Sequence, residues 1–140
     1  MPEKPIIFRL TLPSNPKKIG QVETFLRKVR HAVHLDEIQF HKLMVSLTEA
    51  VNNAIIHGNR QDATKKVRVV CEVLPGWLVF IITDQGRGFK ADKVKNPLNK
   101  RNLMKTSGRG VFLMKTLMDK VEFEAHRDGL QVMLWLDISR

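Results

Sequence analysis

Along this chain the spacing of apolar residues switches between a strand period and a helix period, and the order of those switches constrains the fold more than any single motif. Ile6 to Leu12 alternates as a strand would, and Pro13-Ser14-Asn15-Pro16 breaks it. Ser14 or Asn15 can cap the helix that follows, with Pro16 near its first turn, where a missing N–H does no harm. Ile19, Val22, Phe25, Leu26 and Val29 fall on one face of that helix, which should run to about Ala32. Asp36 with Gln39 three residues on has capping-box spacing and opens a second helix, expected to stop at Gly58 in the left-handed position. Val67 to Leu74 and Trp77 to Thr83 read as strands joined at Pro75-Gly76. A third helix is expected near Gly110, carrying Val111, Leu113, Met114, Leu117 and Met118. Val121 to Ala125 and Leu130 to Ile138 form a last pair of strands around Arg127-Asp128-Gly129. Strand, two helices, two strands, loop, helix and two strands predict an α+β chain: a two-layer sandwich with helices on one face of a mostly antiparallel sheet.

With 140 residues, 43% of them hydrophobic, the chain is long enough for one core, so a single domain spanning 1–140 is expected. No apolar run approaches the roughly 20 residues of a membrane span, and Met1-Pro2-Glu3-Lys4-Pro5 lacks the basic-then-apolar layout of a secretory signal. A cytoplasmic protein without a membrane partner is the expectation. Cys71, the sole cysteine, lies in a strand pattern and reads as a small core residue. The net charge is +10, and its distribution is uneven. Between Arg87 and Arg109 lie Lys90, Lys93, Lys95, Lys100, Arg101 and Lys105, with Asp92 the sole acid. The stretch from Phe89 to Ser107 shows no firm periodicity and reads as a long basic loop; loops beyond about 12 to 15 residues are usually functional lids or disordered. A polyanion or an acidic protein would suit such charge. Direct nucleic-acid binding is not expected, because no recognition motif is present and Trp77 and Trp135 lie in strand patterns with no tyrosine to interleave.

Three short signals carry the chemistry. Glu49, Asn53 and His57 stand four residues apart, a stripe opposite the broad apolar face made by Phe40, Leu43, Leu47, Ala50, Val51 and Ala54. Such a stripe is either a solvated face or the wall of a cavity; Val45 and Ile56 on the same side favour the cavity. Asn53 could offer an oxygen to a Mg²⁺ that keeps most of its waters and arrives on phosphates, and Glu49 could orient or deprotonate an attacking water or hydroxyl. His57, at the helix end, reads as a residue bonding free carbonyls. Asp84 ends the apolar run Trp77 to Thr83 and is followed by Gly86 and Gly88. A plain turn uses the same residues; so does a carboxylate that meets an adenine amino group above a tight backbone. Gly108-Arg109-Gly110, taken as a helix start, suits phosphate through free N–H groups and the helix dipole.

These residues resemble the GHKL ATPases of the Bergerat, or histidine-kinase-like ATPase, fold, with its N-box helix, D-x-G-x-G box, mobile ATP lid and second glycine box. Leu47-Thr-Glu-Ala-Val-Asn-Asn-Ala-Ile-Ile-His-Gly58 and Gly108-Arg-Gly-Val-Phe-Leu-Met-Lys-Thr-Leu-Met-Asp119 are most similar to the bacterial anti-sigma-factor serine kinases. The resemblance implies ATP and Mg²⁺ as ligands, Glu49 as the catalytic carboxylate, Asn53 as the metal contact and Asp84 as the adenine contact. Gly86, Gly88 and Phe89 would bound the base, Gly108, Arg109, Gly110 and Val111 would take the phosphate end, and the lid would occupy 89–107. It further implies a homodimer that phosphorylates a serine of an anti-anti-sigma (STAS-type) antagonist or sequesters a sigma factor. A module that binds ATP to hold a partner without efficient transfer is the alternative.

Overall fold

The computed structural model describes residues 5–86 and 100–139, with the backbone alone over 100–108. Strand β1 (Ile6–Pro13) leads through a short 3-10 turn (Pro16–Lys18) into α1 (Gly20–Val33) and α2 (Glu37–Asn53). A π-helical turn (Ala54–Gly58) extends α2 before β2 (Lys66–Leu74) and β3 (Trp77–Thr83); α3 (Lys100–Leu117), β4 (Lys120–His126) and β5 (Gly129–Asp137) complete the chain. The five strands form one sheet in the order β1-β2-β3-β5-β4, and every neighbouring pair is antiparallel.

Alternation along the strands decides which face is buried. Leu12, Val69, Cys71, Phe80, Ile82, Leu134 and Leu136 point to the face that meets Leu26, Val29, Leu43, Leu47, Val51 and Met114 from the helices, and together they form the core. Cys71 lies in that core, and burial pushes its thiol up to about 12. On the opposite face Trp77 and Trp135 meet edge to face, ring centroids 6.0 Å apart.

The capping box of α2 forms as expected: Gln39 N–H donates to Asp36 Oδ1 at 2.7 Å, and Asp36 N–H donates to the Gln39 side chain at 3.0 Å. Of the two caps offered, Asn15 serves, accepting from Lys17 N–H at 3.0 Å in the 3-10 turn, while Ser14 is buried and donates to the Lys65 carbonyl at 2.7 Å. Two expectations need correction. Gly58 is not left-handed; that conformation falls to Arg60 and Gln61, with φ of 52° and 58°. The third helix begins at Lys100, ten residues before Gly110, so 100–107 of the expected lid is helix, and 89–99 lies outside the described residues. Lys100, Arg101, Leu103, Met104 and Lys105 are strong helix formers whatever their periodicity, and their propensity carries the helix through Gly108 and Gly110. The glycine pair therefore lies within a helix and does not open one.

Candidate functional site

The last turn of α2 sets the geometry. After Asn53 the ladder widens, with Asn59 N–H reaching back five residues to the Ala54 carbonyl at 2.8 Å. Single π turns of this kind recur at functional sites. Ala54 and Ile55 stay buried, while Ile56 and His57 are exposed at the rim of a cavity.

Strand β3 delivers Asp84 to the same place. Its backbone continues the ladder, N–H to the Leu130 carbonyl at 3.1 Å. Its Oδ1 accepts N–H groups of Gly86 and Leu130, each at 3.0 Å, which fixes the rotamer. Burial pushes the Asp84 carboxyl above its ordinary value, against the smaller opposing pull of those two N–H groups and of Lys65. Oδ2 lies on the side of Gly58, where a Cβ would collide with it, and a Cβ on Gly86 would collide with the Gly58 carbonyl. The two glycines let the helix end and the post-β3 turn approach backbone to backbone.

Between these elements and the β4–β5 hairpin lies a cavity of about 230 Å³. Ala50, Ala54, Ile82, Phe123, Leu130 and Val132 line it, with Asn53, His57, Arg60, Asp84 and His126 as polar groups. Apolar walls with a few fixed polar groups are the usual form of a small-molecule site. An ionised carboxylate is an acceptor only, so the arrangement suits a flat ring with an exocyclic amino donor.

Of the residues singled out in the sequence, Asn53, Asp84, Gly86 and Val111 line this cavity. Glu49 stands one turn before Asn53, half-buried and outside the lining. Arg109 is exposed and Gly110 buried within α3, which also contains Gly108. Gly88 and Phe89 lie outside the described residues. Sequence reasoning took Gly58 for a helix stop and missed its packing role, and it missed Phe123, Leu130 and His126. Strand alternation is the signal that could have placed Phe123 and Leu130 on the inward face, but only the strand order β3-β5-β4 brings them under the end of α2. Among the described residues no three His, Cys, Asp or Glu form a metal-holding group. The neutral amide of Asn53 on the wall fits a hard cation that needs one or two protein oxygens.

The sequence pattern of the histidine kinase-like ATPase domain matches residues 12–136, and the chain belongs to that family. Among its relatives is the serine-protein kinase RsbW of Bacillus subtilis, 28% identical over 84% of this chain and 77% of that protein. An anti-sigma F factor of Clostridium botulinum is 39% identical over 67% of this chain and 66% of that protein. The crystal structure of the RsbU and RsbW domains of a Mycobacterium tuberculosis protein superposes with a TM-score of 0.69 at 18% identity, likeness in fold alone. It covers 99% of this chain, which spans 33% of that one.

Proposed function

We propose that the chain is an ATP- and Mg²⁺-binding anti-sigma regulator, cytoplasmic and homodimeric, that phosphorylates a serine of an anti-anti-sigma antagonist or sequesters a sigma factor. The observation that carries this reading is Asp84: one oxygen pinned by two backbone N–H groups, the other on the side of Gly58, in the wall of an apolar cavity that Asn53 also lines. Its role is to accept from the adenine amino group, while Gly86, with Gly88 and Phe89, bounds the base. Asn53 would hold Mg²⁺, whose charge would offset that building up on the transferring phosphoryl group. Gly108, Arg109, Gly110 and Val111 take the phosphate end. In α3 the backbone N–H groups of Gly108 and Gly110 lie within helix, so their use as phosphate donors requires the first turns of α3 to open. Glu49 would take the seryl proton as the serine oxygen attacks the γ-phosphorus and ADP leaves.

Glu49 lies outside the cavity lining, which favours a second reading, a nucleotide-gated binding module without efficient transfer. Labelled ATP with a candidate antagonist separates the two: label on a serine supports the kinase, and tight binding without transfer supports the module. Glu49→Ala should abolish transfer and spare nucleotide affinity; transfer that survives in this variant removes Glu49 from its role.

A further inference from the structure

A single buried carboxamide behind the cavity ties together four segments that are distant in sequence. Asn59 is 1% exposed and does not line the cavity. Its Oδ1 accepts the N–H of Gln85 at 2.8 Å; its Nδ2 donates to Ser14 Oγ at 2.7 Å and to the Lys66 carbonyl at 3.0 Å. Ser14, equally buried, donates its own hydroxyl hydrogen bond to the Lys65 carbonyl at 2.7 Å. Gln85 answers from the other side, accepting Lys66 N–H at 2.6 Å. The end of β1, the end of the α2 π turn, the start of β2 and the Asp84-Gln85-Gly86 turn are thus held by one network with every polar atom of the amide engaged.

The consequence for the cavity follows from position. Asp84 is fixed on the β5 side by Leu130, through bonds of 3.0 and 3.1 Å. On the other side, the next backbone N–H, that of Gln85, is fixed by Asn59. Asn59 also follows Gly58 directly, so the same side chain sets how closely the Gly58 carbonyl approaches Gly86. We infer that Asn59, oriented by Ser14, is a positioning residue for base recognition: it sets where Asp84 Oδ2 and the Gly86 backbone stand in the cavity, and through them the preference for a 6-amino over a 6-oxo purine. The network needs one acceptor and two donors in a planar group, which a carboxamide alone supplies at this length. This rests on the nucleotide reading above and adds a residue and a specificity to it.

The test compares ATP and inosine triphosphate, which differ in donor and acceptor at position 6, by calorimetric titration of the full chain. Asn59→Ala should weaken ATP binding by about tenfold, the scale of a lost buried hydrogen bond or two, and should leave inosine triphosphate much less affected, so the ratio of the two affinities falls. Asn59→Asp, which retains the acceptor and turns an oxygen against the Lys66 carbonyl, should lower the ratio too. Val22→Ala in α1, outside the network and the cavity lining, is the stability control and should keep the wild-type ratio. If the Asn59 variants do not fold, Ser14→Ala carries the test with a smaller fall, restored by Ser14→Thr. A folded variant that keeps both the wild-type ratio and ATP affinity overturns the inference alone. Wild-type protein that binds neither nucleotide, or both alike, overturns the adenine reading on which it rests.

Discussion

Asp84 is placed where its own burial works against its charge, and that conflict separates stability from function. A carboxyl whose proton is held more tightly in the folded than in the unfolded chain stabilises the fold progressively as pH drops. Above its raised folded value the penalty is fully present; between there and the ordinary 3.8 it is relieved. Asn at 84 removes the titration and still offers one oxygen to the N–H groups of Gly86 and Leu130. The free Asp84→Asn protein should therefore melt above the wild type at neutral pH, with a margin that shrinks as pH falls toward 3.8. In exchange the amide NH₂ would face the adenine amino group, donor against donor, and ATP affinity should fall about tenfold to hundredfold, the range for a hydrogen bond to a charged group. Melting curves from pH 3 to 8 and nucleotide titration check the two halves separately. A variant that melts lower at neutral pH would show that the carboxylate charge stabilises the fold.

Among the elements, α2 and α3 make opposite demands on their ends. The α2 start is a structural device far from the cavity, with Asp36 and Gln39 exchanging bonds at the surface. Asp36→Ala should cost about 1 kcal/mol in chemical denaturation and leave nucleotide affinity unchanged. At α3, Gly108 lies inside a helix that starts at Lys100. Alanine there favours helix by about 1 kcal/mol, so Gly108→Ala should raise the helical signal of the free protein and lower ATP affinity, if the first turns must open for phosphate. Unchanged affinity in a more helical variant removes that requirement. The difference between these two ends explains what was legible in the sequence. A capping box is a local bond pair written in residues 36 and 39, and it formed as read. The start of α3 depends on summed propensity over a stretch without amphipathic pattern, where two glycines imitate a helix start. Gly58 was half legible for a related reason: the helical stretch does end there, but not in the left-handed conformation, and its close packing is set by Asp84 and Gly86, distant in sequence. Asp84 and Asn53, which stand out in the sequence by the chemistry of their own side chains, both line the cavity.

At the scale of the molecule, the cavity is a meeting of parts that touch nowhere else in sequence: Asn53 from α2, Asp84 after β3, Val111 from α3 and Leu130 from β5. A ligand there bonds to a constellation that exists only when the sheet and both helices are assembled, so binding must add to global stability and not to one element. With ATP at 100 times its dissociation constant and excess Mg²⁺, unfolding free energy should rise by about 2.7 kcal/mol. For a chain of this size that is an upward shift in melting temperature on the order of 10 °C. Mg²⁺ alone should give no comparable shift, since no group of three ligating side chains is present among the described residues to hold it without phosphate. The gain should appear as slower hydrogen exchange at the amides of Gly86 and Leu130, which bond Asp84 from two different elements; at the same ATP concentration the Asp84→Asn protein, with its tenfold to hundredfold weaker affinity, should keep only about 0.4 to 1.4 kcal/mol of the gain and correspondingly less of the slowing. Protection confined to one of the two amides would mean that the ligand grips a loop, not the assembled cavity. A melting temperature unmoved by saturating ATP and Mg²⁺ in folded protein would remove the nucleotide itself from this cavity.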